Sequence, residues 1–187
     1  MSHLKSMTVA AVISLAPAGA ATAAGPAAGS APAAASPAAA AKPAGPSDRA
    51  QIQALEKGLN AGVNAKDAKK VMSYYARQGL FVFDVTPPRQ HVGWADYKKD
   101  WDDLFAAYPG AISNEISDLS ITVSGDVAYG HSIQDGHFTA ADGSKTEVVV
   151  RVTDIYRKIA GKWLIVQEHV SVPVDLSTMK ADPLSKP

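Results

Sequence analysis

Residues 47–176 predict an α+β domain, a curved antiparallel sheet wrapped as a cone around N-terminal helices, and three observations lead there. Apolar residues recur at helical spacing up to residue 108. Beyond it, four strand-like stretches over 112–123, 127–139, 145–158 and 162–172 are separated by "SGD", "ADG" and "IAG", which are hairpin turn signals. The composition, 47% hydrophobic and 19% charged over 187 residues, suits one modest domain plus a segment of different character.

That segment comes first. From Met1 to Pro46 there is no Asp, Glu, Trp, Tyr or Phe, and past residue 15 nearly everything is Ala, Pro, Gly or Ser, a composition too poor in apolar bulk to offset chain entropy. Residues 1–24 read as a signal peptide, with His3 and Lys5 as a basic start, "MTVAAVISLA" as a weakly apolar run, and "AGA" or "ATA" as small-residue cleavage sites. Residues 25–46 read as a disordered linker. The expected location is therefore periplasmic or secreted, or cytoplasmic if the segment is not a signal. The apolar run is too short and too alanine-rich to span a bilayer, so no stable membrane anchor is expected.

Asp48 is placed to cap a first helix with Ile52, Leu55, Leu59 and Val63 on one face and Gln51 returning as a capping-box partner. Asp67 caps a second, shorter helix with Val71, Met72 and Tyr75. Gly79 releases the chain into the strand "LFVFDV", which Pro87 and Pro88 end. After Gly93, the spacing of Trp94, Tyr97, Trp101, Leu104, Phe105 and Tyr108 predicts a third helix, with Asp96, Lys98, Lys99, Asp100 and Asp102 on its other side. The four-strand meander follows, and 177–187 is expected to be a flexible tail.

There is no cysteine, which removes disulfides, thiolate catalysis and Cys-based zinc sites. From residue 47 onward, 16 basic residues face 18 acidic ones and no basic run exceeds two residues, so nucleic acid is not an expected partner. His131, Asp135 and His137 alternate along a strand, but Gly136 interrupts them and no helical His pair supports them, so no metal is assigned. No phosphate loop or nucleophile motif is present, and no cofactor is expected.

The phrases "VMSYYARQGLFVFDVTPPRQHVG", "ADYKKDW" and "RVTDIYRKIAGKWLIVQEHVSVPVD" resemble the SnoaL-like, ketosteroid-isomerase-related family within the nuclear transport factor 2-like superfold, over about residues 50 to 176. The resemblance implies a small-molecule site inside the cone, and enzymes of the superfold generally place an acid or histidine there. It does not choose between a ligand carrier, a cofactor-free isomerase, cyclase or dehydratase, and a dimerisation module. It also implies pairing through the outer sheet face, hence a homodimer.

If "IAG" is a three-residue turn, Lys158 faces Lys162, Arg151 faces His169, Thr153 faces Gln167 and Asp154 faces Val166. The even-numbered face, with Val148, Val150, Val152, Asp154, Tyr156, Leu164, Val166, Glu168 and Val170, is the more apolar and is expected to line the cone. Gln134 joins it across the preceding turn. Asp154, desolvated among valines, is then the candidate general base, with Gln134, Tyr75 or Tyr97 polarising a carbonyl. Asp154 can equally be a buried structural carboxyl. Asp84 is a second candidate acid or a turn-former, and Trp94, Tyr97 and Trp101 are candidate stacking residues or simply core. Arg151 and His169 fall on the outer, dimer-forming face; with opposite parity they become an anion ligand and a proton-exchanging catalytic group in the pocket.

Overall fold

The computed structural model describes residues 46–185; the signal peptide expected over 1–24 and the linker expected over 25–46, apart from Pro46, lie outside them. Three helices precede the sheet: α1 (Asp48–Asn64), α2 (Ala68–Met72) and α3 (Trp94–Ala107). The strands are β1 (Phe81–Phe83), β2 (His91–Val92), β3 (Ile112–Ser124), β4 (Val127–Thr139), β5 (Lys145–Ile159), β6 (Lys162–Ser171), and a small hairpin of β7 (Val174–Asp175) and β8 (Lys180–Ala181). Six strands form one sheet in the order β2-β1-β6-β5-β4-β3, antiparallel except where β1 runs parallel to β6. The α+β class is as the sequence predicts.

Ser47, not Asp48, caps α1: its Oγ accepts from the Ala50 amide at 3.2 Å. Asp48 is instead the first helical residue. Its carboxylate accepts from Lys158 Nζ at 2.7 Å and Trp163 Nε1 at 3.0 Å, which ties the start of α1 to the β5–β6 hairpin. Gln51 reaches back to donate to the Pro46 carbonyl at 2.9 Å. Asp67 does cap α2, accepting from Lys70 N at 2.9 Å, but that helix stops at Met72 and leaves Tyr75 on the segment beyond. Ile52, Leu55, Leu59 and Val63 pack with Tyr156, Trp163 and Ile165 as the core between α1 and the sheet.

The β5–β6 hairpin departs from the expected register in two places. Its turn is Ala160–Gly161, both with positive φ (49° and 79°), so Ile159 faces Lys162 across a two-residue loop of the kind that matches strand twist. Six residues on, Val166 is an extra residue: Tyr156 pairs with Ile165, but Ile155 pairs with Gln167, the signature of a β-bulge. Between turn and bulge the inward side chains of β6 are Trp163 and Ile165, with Leu164 and Val166 turned away, the reverse of the expected parity. Beyond the bulge the two one-residue offsets add to a two-residue shift, which restores the parity, and Glu168 returns to the inner face directly opposite Asp154. Arg151 faces Ser171, and Thr153 faces His169.

Candidate functional site

Helices α1 and α3, the loop after β1 and the inner face of β3–β6 enclose a cavity of about 290 Å³. Its floor is apolar because β5 and β6 alternate: Val148, Val150, Val152 and Val170 point inward while Arg151, Thr153 and His169 are exposed. Tyr97, Asp100, Trp101 and Leu104 come from α3, Asp84, Val85 and Thr86 from the loop, and Asn114, Gln134, Gly136 and Phe138 from β3 and β4.

One carboxylate stands on the inner wall. Glu168 is 5% exposed; Tyr75 Oη donates to its Oε2 at 2.7 Å and Tyr97 Oη to its Oε1 at 2.5 Å. Each phenol has a single hydrogen, and both are committed to Glu168, so neither tyrosine polarises a ligand carbonyl in this arrangement. The donor on the cavity side lies elsewhere: Gln134 accepts from Asn114 Nδ2 at 3.0 Å and keeps its own amide hydrogens, while Trp101 Nε1 is sealed from the cavity and has no acceptor among the described residues.

Behind this wall lies a second layer of acid that sequence reasoning only half found. Asp154 is 3% exposed and is not among the residues lining the cavity. Its Oδ1 has no hydrogen-bond partner, and its Oδ2 sits 3.4 Å from Tyr156 Oη, whose hydrogen goes to Glu56 Oε1 at 2.8 Å. Burial first, then the charges of Glu168 and Glu56, hold the Asp154 pKa well above the ordinary range. An ionised carboxylate left without a partner here would cost several kcal/mol. Glu56 is pushed up to about 7 by burial, and burial also raises Glu168 against the pull of its two tyrosines.

The expected site residues therefore divide. Tyr75, Tyr97, Trp101, Asp84, Gln134 and Glu168 line the cavity; Asp154 and Tyr156 form the layer behind it. That corrects the placement of Asp154 as a base in reach of a ligand, because the Val152 side chain occupies the lining position one inward residue earlier. Trp94 is outside as well: its Nε1 donates to the Met72 carbonyl at 2.8 Å and Arg77 lies 3.6 Å over its ring. Arg151 and His169 are exposed on the outer side of the sheet, His169 edge-on to Phe83.

Three residues escaped the sequence reading. Glu56 follows Ile52 by four and so falls on the buried stripe of α1. Asp100, assigned to the outer side of α3, follows Tyr97 by three and lines the cavity; burial raises its pKa, as it does that of Asp84. His91, on β2, is 3% exposed, with Nδ1 3.5 Å from Asp96 and Nε2 3.7 Å from Asp100. On the outer surface His137 lies 3.2 Å from Asp135 and 3.5 Å from Glu147, and no group of three or more potential ligands fit to hold a metal occurs among the described residues.

The model of a family described as SnoaL-like domain matches residues 52–175. No curated protein is similar to the chain. Among solved structures, a nuclear transport factor 2-like protein of unknown function from Pseudomonas putida KT2440 is 27% identical with a TM-score of 0.67, over 76% of this chain and 100% of that one. A ketosteroid isomerase-like protein from Erwinia carotovora atroseptica is 22% identical (TM-score 0.57; 65% and 93% covered). A nuclear transport factor 2-like superfamily protein from Salmonella enterica serovar Typhimurium is 15% identical (TM-score 0.61; 68% and 92% covered).

Proposed function

The chain belongs to the SnoaL-like family, and on that premise we propose that its cone binds a small, mostly apolar molecule bearing a carbonyl or hydroxyl oxygen. The observation that carries this reading is the cavity itself: about 290 Å³, walled by valines and aromatics, with the Gln134 amide in its lining left to donate. A donor beside an apolar floor fits a ligand that brings an acceptor. Val148→Trp is expected to fill the cavity and abolish binding of cyclic enones and phenolic alcohols measured by calorimetry; binding that survives this variant would place the ligand elsewhere.

A second reading, cofactor-free proton transfer next to a carbonyl, is favoured by one specific feature. Asp84 and Glu168 are carboxyls on the cavity surface, and burial raises the pKa of each, the direction that suits a group accepting and returning a proton. On this reading the acting acid is Asp84 or Glu168, and Tyr75 and Tyr97 hold Glu168 in place. Asp84→Asn is expected to stop solvent deuterium entering the α-position of a bound enone, and unchanged exchange in both Asp84→Asn and Glu168→Gln would end the reading.

Two further proposals concern the whole chain. Export rests on the pattern of residues 1–24, and predicts that protein recovered from the periplasm or medium lacks them. Homodimerisation through the outer sheet face rests on its exposed side chains, Val127 and Tyr129 on β4 and Ile159 on β5, beside Arg151, Thr153 and His169.

A further inference from the structure

Resting on the ligand-binding reading, the charge of the cavity says which ligand. Its lining contains three carboxyls, Asp84, Asp100 and Glu168, and no lysine, arginine or histidine. Glu168 is already served by two phenols, whereas Asp84 and Asp100 are the two partly exposed acids, at the end of the cavity built by the β1 loop and α3. Asp84 takes a hydrogen bond from its neighbour Val85 N at 2.5 Å, and no lysine or arginine lies within ion-pair distance of either Asp among the described residues. The faces of Tyr97 and Trp101, 6.0 Å apart and edge to face, border the same end.

We infer that the cone takes a protonated amine: an aromatic or aliphatic body against the valines and an ammonium head between Asp84 and Asp100. Charge complementarity decides between ligand classes here. An anion would enter beside three carboxyls with no cation to receive it; an ammonium relieves the repulsion that Asp84 exerts on Asp100 and gains the aromatic faces.

Binding of this kind is linked to pH. Asp84 faces His91 and Tyr97 on the inner side and shares an open outer groove with Arg89 and His169; Asp100 faces His91, with Asp96 and Asp103 on its own helix; Glu168 faces Asp84, Asp154 and the two tyrosines. Acid neutralises the carboxyls, which weakens the hold on an ammonium.

The test uses the full chain and three probes of one skeleton, tyramine, tyrosol and phloretate, which carry an ammonium, a hydroxyl and a carboxylate. Calorimetry at pH 8 is expected to rank tyramine about tenfold or more above tyrosol, with phloretate weakest. As the pH is lowered from 8 toward about 4, the ordinary range of an aspartate, the tyramine advantage should shrink. Asp100→Asn and Asp84→Asn should each lower tyramine affinity about tenfold and narrow its lead over tyrosol. Tyrosol equal to tyramine, or phloretate the tightest, overturns the amine inference and leaves the cavity reading standing. If none of the three binds, or if Val148→Trp binds them as well as the parent does, both fall together.

Discussion

Glu56 governs how the fold responds to pH. Its folded pKa, about 7, lies above that of an unfolded glutamate, so the folded state binds its proton more tightly. The stability this contributes is fully present below about pH 4.5 and is lost as pH rises through about 7, on the order of 3 kcal/mol for the full shift. Asp154 and Glu168 are raised as well and push the same way. The melting temperature is therefore expected to fall between pH 5 and pH 8, and Glu56→Gln, which keeps an acceptor for Tyr156, should flatten that slope and raise stability at pH 8. A parent protein whose melting temperature is flat across that range would contradict the assignment. Single residues were the least legible scale in the sequence. Asp154 and Glu168 announce themselves as charges inside valine runs, but which of them reaches the cavity depends on their neighbours, and Glu56 looks like any helical glutamate until its place on the stripe is counted.

At the scale of elements, boundaries were legible and pairing was not. Strands β3 to β6 begin and end within about two residues of the turn signals, because Gly and Asp at a hairpin leave the backbone few options. Register depends on a single residue more or less, which turn chemistry alone leaves open. Ala160 holds φ at 49°, a conformation glycine adopts freely and alanine does not. Ala160→Gly is expected to raise the urea midpoint, with a gain of about 0.5 to 1 kcal/mol. Gly130 is the opposite case: a Cβ there would lie 3.0 Å from the Ser120 carbonyl and 3.1 Å from the Tyr156 hydroxyl. Gly130→Ala should cost about 1 to 3 kcal/mol and loosen the Tyr156–Glu56 hydrogen bond, which holds the Glu56 pKa down, so the loss of stability as pH rises from 5 to 8 should be steeper than in the parent.

For the molecule as a whole, the order of helices and strands was enough to predict a cone, since a sheet with one apolar face and helices preceding it has few ways to bury that face. The cavity's contents were not predictable, because they come from side chains far apart in sequence: Asp84 on a loop, Asp100 on a helix and Glu168 on a strand meet only once the sheet has curled. The outer face gives the assembly prediction. Light scattering after size exclusion should return twice the mass of the chain, and Tyr129→Glu, placed on an exposed side chain of β4, should return a monomer with an unchanged melting temperature at high dilution. A monomeric parent would remove the dimer proposal without touching the cavity.

The offset between the Ala160–Gly161 turn and the Val166 bulge bears on how relatives of this chain are compared. A relative with a three-residue turn and no bulge would have the same length and keep its counterpart of Glu168 in place, yet every position between would be shifted by one. Ungapped columns over 160–166 would then set an inward side chain against an outward one, and a substitution pattern read from them would mistake a core position for a surface one. Two compensating gaps, one at the turn and one at Val166, restore the correspondence. The same pair of edits made together in this chain, one residue added at the turn and Val166 removed, should leave the Glu168 carboxylate between its two tyrosines.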